Sequence, residues 1–302
     1  MKRQCYFWML GILFLIPFQF VMAHPEKEAK KEITIQLYSV RSLINDVNKD
    51  GKASDVYLKT LKSLADMGYT SVEAAYYGEG KFYGRKPSDF KHDVENAGMK
   101  VLSSHCSRAL NAHELQTGDL SEALAWWNQC IADHKEAGMK YIVFPYLEVP
   151  KTVKDLDLYC KYFNEIGKRC KAAGLQFGYH NHAHEFQKVE NREVMMDYLL
   201  QHTDPESVFF EMDVYWVVRG QNSPVDYFHK YPGRFRMLHL KDHREIGQSG
   251  MVGYDAIFRN ADVAGVKDIV AEIESYSTDD VLKSVRESIE YLLDAPFIKA
   301  EY

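Results

Sequence analysis

The sequence predicts an α/β fold, a single (β/α)8 TIM barrel, on three observations. Eight short apolar runs alternate with amphipathic stretches along the chain. Nearly every one of those runs ends in polar or titratable residues. About 280 residues follow an apolar leader, a length that suits one large barrel. Strand and helix in strict alternation imply a parallel sheet with its helices packed outside. A doubly wound open sheet is the alternative. It usually has fewer strands and often carries a glycine-rich phosphate loop, and neither GxGxxG nor GxxxxGKS/T occurs here.

The elements follow in order. Lys2 and Arg3 open a basic start, an apolar run reaches Val21, and Val21-Met22-Ala23 precedes a polar turn at His24-Pro25-Glu26. Residues 1–23 therefore read as an export signal rather than a spanning helix: the run is short and interrupted by Gly11 and Pro17. Residues 24–32 read as a charged linker, and 33–302 as the barrel. Its strands are predicted in "ITIQLYSV", "TSVEAAY", "KVLSSH", "KYIVFPYL", "LQFGYHNH", "SVFFEMDV", "FRMLHLKD" and "DIVAEIES". Helices are predicted at 54–67, 88–97, 120–137, 152–173, 192–202, 224–230, 254–264 and 279–293. Gly68 and Gly174 stand just past two of these helices, where a left-handed residue ends the turn. Asp119 and Thr152 open two others as cap residues.

Composition excludes several classes. The chain carries a formal charge of −6, and losing Lys2 and Arg3 with the leader makes it −8. Such a surface repels phosphate backbones, so nucleic acid is not an expected partner. Nothing after the leader is apolar for long enough to span a membrane. Cys106, Cys130, Cys160 and Cys170 show no CxxC spacing and are expected as free thiols.

Chemistry in such a barrel sits at the C-terminal strand ends. The fifth run ends His180-Asn181-His182, the sixth Glu211-Met212-Asp213, the seventh His239-Leu240-Lys241-Asp242 and the eighth Glu272-Ile273-Glu274. Alternation sorts the faces: Leu238 and Leu240 oppose His239 and Lys241, and Ile269, Ala271 and Ile273 oppose Glu272 and Glu274. Apolar faces pack on helices, so Asp213, His239 and Glu272 are expected to converge inside the mouth. Two carboxylates and an imidazole suit one divalent ion, Mn²⁺, Mg²⁺, Co²⁺, Fe²⁺ or Zn²⁺. Taken singly, each has a structural reading: a hydrogen-bonded histidine, or an aspartate capping the segment after it.

At these residues the chain resembles the xylose isomerase-like TIM-barrel superfamily, the group of sugar phosphate isomerases/epimerases, in its exported "YHNH" type. The resemblance covers nearly all of 33–293 and rests on "IQLYSVR", "SSH", "YHNHAHEF", "FEMDVYWVVRG", "YPGRFRMLHLKD" and "VAEIESY". It implies one divalent metal held by a Glu, Asp, His, Glu set from strands five to eight, matched here by Asp213, His239 and Glu272. Strand five departs from that pattern, because His180 stands where the family has glutamate. His180 is therefore expected as ligand or close neighbour, with Glu185 as alternate ligand or acid/base.

The chemistry the resemblance implies is enolisation of a keto-sugar: metal and carbonyl together acidify the adjacent C–H, and a base removes the proton. His182, Glu185 and His105 are the candidate bases, and Lys241 a candidate for holding developing negative charge. Tyr38, Trp216 and Asn181 are candidate substrate contacts. The expected partner is a small sugar or glycoside, with a homodimer among the options the family offers. The leader implies a periplasmic or secreted protein, which favours an unphosphorylated substrate. Three outcomes stay open: an isomerase or epimerase, a lyase or hydratase acting on 3-keto-glycosides through the same site, and a sugar-binding protein that has lost catalysis. DNA-repair endonucleases share the superfamily, but they need a basic face and further ligands.

Overall fold

The computed structural model describes residues 1, 30–45 and 52–302. The predicted leader, apart from Met1, and most of the predicted linker lie outside the described residues. The chain divides into Met1–Lys30 and Lys31–Tyr302.

In the second unit eight parallel strands close a barrel: β1 (Thr34–Gln36), β2 (Ser71–Ala74), β3 (Lys100–His105), β4 (Tyr141–Phe144), β5 (Gln176–His180), β6 (Val208–Asp213), β7 (Met237–Leu240) and β8 (Asp268–Ala271). Each strand pairs with its sequence neighbours, and β8 closes on β1 through Thr34 opposite Val270. The helices between them are α1 (Arg41–Ile44), α2 (Asp55–Met67), α3 (Pro87–Ala97), α4 (Ala112–Thr117), α5 (Ser121–Glu136), α6 (Val153–Ala173), α7 (Met195–His202), α8 (Val214–Arg219), α9 (Pro224–Lys230), α10 (Tyr254–Arg259), α11 (Ala261–Ala264) and α12 (Val281–Asp294).

Alternation decides what faces where. Phe210 and Met212 of β6, Leu238 and Leu240 of β7, and Ile269 and Ala271 of β8 join the core between barrel and helices. Their neighbours Phe209, Met237 and Val270 turn inward and meet Tyr141 and Val143 in a separate apolar plug. Gly178 makes room for that plug: a Cβ there would lie 2.5 Å from the Phe209 ring. Above the plug the inward positions turn polar, and that change builds the mouth.

Three local features differ from the sequence reading. The first strand stops at Gln36, where a 3-10 turn (Leu37–Val40) takes over and leaves Tyr38 41% exposed on the rim. Short antiparallel hairpins, Tyr77–Gly78 with Lys81–Phe82 and Lys188–Val189 with Glu193–Val194, occupy the loops after β2 and β5. Helices α4 and α8, six residues each, were not expected. Cys106, Cys130, Cys160 and Cys170 are free and buried. Among the described residues no helix is long and apolar enough to cross a membrane.

Candidate active site

Asp213 shows how the fold positions a site residue. It ends β6 and caps α8: Oδ1 accepts from the Trp216 backbone N–H at 2.8 Å. That bond turns Oδ2 toward Nδ1 of His239, 3.4 Å away on the paired position of β7. Glu272, one residue past β8, brings Oε2 to 3.9 Å from the same nitrogen. The ligand-type atoms of Asp213, His239 and Glu272 all lie within 4.8 Å of one another. His180 ends β5 with Nε2 4.0 Å from Asp213 Oδ2, and its Nδ1 lies 3.3 Å from Glu211 Oε2. Lys241 sits over Glu272, Nζ to Oε2 3.2 Å, pairs with Glu274, and lies 5.6 Å from the Trp216 ring centre.

One pleat deeper is a layer of which the sequence reading named His105, as a candidate base, but not Glu73. Glu73 of β2 is fully buried, accepting from Gln36 Nε2 at 2.8 Å and from Ser103 Oγ at 2.6 Å. His105 Nε2 stands between Glu73 Oε1, at 3.1 Å, and Glu211 Oε2, at 2.9 Å. The signals were present in the sequence. Glu73 is a lone carboxylate inside an apolar strand, and Glu211 shares a face with Asp213 two residues on.

The buried groups tune one another. Burial drives the His180 imidazole well below its ordinary value, reinforced by the rings of His239, His105 and His182. Burial also takes His182 down to about 3, with His184 and His105 adding to it. At His239 burial is outweighed by the Glu211 charge and the bonds to Asp213 and Glu73, so its pKa lies well above the usual range. For His105 the same contest, burial against Glu73 and Glu211, ends at about 10. Burial raises the carboxyls of Asp213 and Glu272 despite Lys241 and His239 nearby. Glu73 is lowered even though burial and Glu211 oppose this, because His105 and His239 outweigh them. Lys241 is raised against burial by Glu272 and Asp213. The carboxylates of Asp213 and Glu272 beside the imidazole of His239 make an oxygen and nitrogen donor set that a divalent cation fits.

Two of the residues singled out from the sequence lie elsewhere. Both oxygens of the Glu185 carboxylate are engaged away from the cluster: Oε1 accepts from the Tyr179 hydroxyl and Oε2 from the His182 N–H, each at 2.8 Å. Tyr179 belongs to the outward face of β5, against Phe144, Phe163 and Phe210, so Glu185 anchors the loop from outside the mouth. Asn181, fully buried, has its side chain bonded to both backbone groups of Asp213. Both residues follow the end of β5, where alternation no longer sets direction. His182 and Trp216 line the mouth with ring centres 5.6 Å apart. Tyr38 is on the rim, where Arg41 stacks on it at 4.4 Å and also donates to the Glu274 carbonyl at 2.9 Å.

Comparison with known proteins gives a consistent answer. A family model described as xylose isomerase-like TIM barrel matches residues 61–295. A sugar phosphate isomerase/epimerase of Parabacteroides distasonis ATCC 8503 is 32% identical, with a TM-score of 0.80 over 92% of this chain and 98% of that one. A Mycobacterium smegmatis protein solved in complex with magnesium shares the fold at 13% identity, with a TM-score of 0.60 over 89% of this chain and 97% of its own. An inosose dehydratase of Geobacillus kaustophilus (strain HTA426) is 22% identical over 202 residues, 62% of this chain and 62% of that enzyme's length.

Proposed function

This chain belongs to the xylose isomerase-like TIM barrel family, and from that premise we propose that it is a divalent-metal-dependent enzyme that enolises a keto-sugar, as an isomerase or epimerase. The observation that carries the proposal is the convergence of Asp213, His239 and Glu272 at the C-terminal end of the barrel. Those three would hold the ion, with His180 beside them. Such an ion supplies Lewis acidity to a carbonyl and its neighbouring hydroxyl. The chain supplies the rest. Lys241, held as an ammonium by Glu272 and Glu274, donates to the substrate oxygen on which negative charge develops. His182, with its ring centre 5.6 Å from that of Trp216 at the mouth, is placed to take the carbon-bound proton. Trp216 offers an apolar face to the sugar's C–H groups. The likeness to a sugar phosphate isomerase/epimerase supports this reading. If residues 1–23 serve as the export leader their sequence suggests, the reaction runs outside the cytoplasm, where a free sugar is a better candidate than a phosphorylated one.

A second reading, a lyase or hydratase acting on 3-keto-glycosides, is favoured by two observations. One is the likeness to an inosose dehydratase. The other is space: a cavity of about 540 Å³ touches His182, Phe186, Trp216 and Arg219, and one of about 490 Å³ touches Tyr146, Leu110 and Tyr159. Either has room for an aglycone.

The test is proton exchange. Metal-loaded protein is incubated with keto-sugars and 3-keto-glycosides in D₂O and followed by NMR. Deuterium entering beside the carbonyl supports both readings, and release of the aglycone selects the second. No exchange with any of them leaves a sugar-binding protein.

A further inference from the structure

The deeper layer contains ligand-type atoms that the proposed reaction does not use. His105, His180, Glu211 and His239 each bring one such atom to within 4.8 Å of the others, and Glu73 adds Oε1 3.1 Å from His105 Nε2. Nδ1 of His180 and Oε1 of Glu211 are buried without a hydrogen-bond partner. Leaving a buried polar atom unpaired forfeits the hydrogen bonds it had in water. These two lie in one cluster of ligand-type atoms, where a single cation would partner both.

We propose that this layer is a second cation site, in which His105 Nε2, His180 Nδ1, Glu211 and Glu73 hold a divalent transition metal. The allocation follows from which way each ring nitrogen faces. His239 turns Nδ1 to Asp213 and Glu272 and Nε2 to Glu73, 3.5 Å away, so it serves the outer group and hydrogen-bonds the inner one. His180 is nearer the inner group, Nδ1 to Glu211 at 3.3 Å against Nε2 to Asp213 at 4.0 Å. No imidazole then has to bridge two ions. The mixed imidazole and carboxylate set suits Zn²⁺, Mn²⁺ or Fe²⁺. Glu73 is held in place by Gln36 and Ser103, as ligand carboxylates commonly are. The inference also accounts for the imidazole at position 180. A glutamate there would set a carboxylate against Glu211, whereas His180 offers that carboxylate a nitrogen. The site stands on these contacts whether or not the outer group turns over a sugar.

Anomalous diffraction from wild-type crystals grown with zinc, together with the zinc content of dialysed protein, tests it. Two peaks are expected, one among His105, His180 and Glu211 and one beside Asp213, with two zinc ions per chain in solution. Folded His105→Gln and Glu211→Gln should each lose one ion and keep the peak beside Asp213. A single peak beside Asp213, with one ion per chain unchanged in His105→Gln, would overturn the proposal and leave the layer as a protonated hydrogen-bond network. An inner peak in the crystal without zinc in the dialysed protein would be an adventitious ion only, and would overturn it too. Failure of the outer site looks different: an inner peak alone, lost in His105→Gln and kept in Asp213→Asn. The wild-type crystal decides the matter even if both inner variants fail to fold.

Discussion

Asn181 and Asp213 are joined across neighbouring strands by two hydrogen bonds: the Asp213 N–H donates to Asn181 Oδ1 at 3.1 Å, and Asn181 Nδ2 donates to the Asp213 carbonyl at 3.4 Å. The pair fixes the backbone from which the Asp213 carboxylate reaches His239. Asn181→Ala strips both bonds inside a dry interior. It should cost about 1–3 kcal/mol of stability and weaken metal binding about 10- to 100-fold. Urea unfolding and metal titration check this; a variant unchanged in both would show that the tie does not position Asp213.

Glu185 makes the opposite prediction. Its carboxylate is committed to Tyr179 and the His182 backbone. Glu185→Gln should lower stability by about 1–3 kcal/mol and leave metal content at the wild-type level. Loss of metal at unchanged melting temperature would return Glu185 to the site.

Lys241→Met removes the one ammonium within the cluster while keeping its length. If that ammonium meets the charge developing on the substrate, deuterium exchange should slow by a factor of about 100–1,000 with metal retained. Exchange at the wild-type rate would remove Lys241 from the chemistry.

His134 carries a pH signature far from the mouth. Burial takes its imidazole from 6.5 to about 4, the opposing bond to the Cys130 carbonyl notwithstanding. Between those values the unfolded chain binds a proton that the folded chain does not, so stability falls as pH drops through this window, by about 3 kcal/mol at pH 4. Denaturant unfolding of wild type and His134→Leu at pH 7 and pH 4 should show the wild type losing about that much more. Equal losses would contradict the assignment.

What could be read from the sequence followed the period of two. The inward set on β7 and β8, with His239, Lys241, Glu272 and Glu274, was visible because Leu238, Leu240, Ile269, Ala271 and Ile273 mark the opposite face. The same alternation puts Glu211 on the inward face with Phe209 and Asp213. Beyond a strand's last residue the rule lapses, so the directions of Asn181 and Glu185 were not legible: turn geometry and the partners Asp213 and Tyr179 set them. Tyr38 moved to the rim for a related reason. The Gln36 side chain accepts from the Tyr38 N–H and opens a 3-10 turn where apolar alternation suggested more strand. For Asp213 capping does not exclude ligation, because Oδ1 caps α8 while Oδ2 faces His239.

That division makes the central claim testable with little collateral damage. Asp213→Asn keeps an oxygen to cap α8 and removes the charge that faces His239. The measurement is the divalent metal content of purified, dialysed wild type beside Asp213→Asn and Glu272→Gln, with melting temperatures recorded on the same samples. The account predicts tightly held metal in the wild type and one ion fewer in each variant, with the fold intact. A wild type that holds no stoichiometric metal under any loading condition, or an Asp213→Asn protein that holds as much as the wild type, would contradict it.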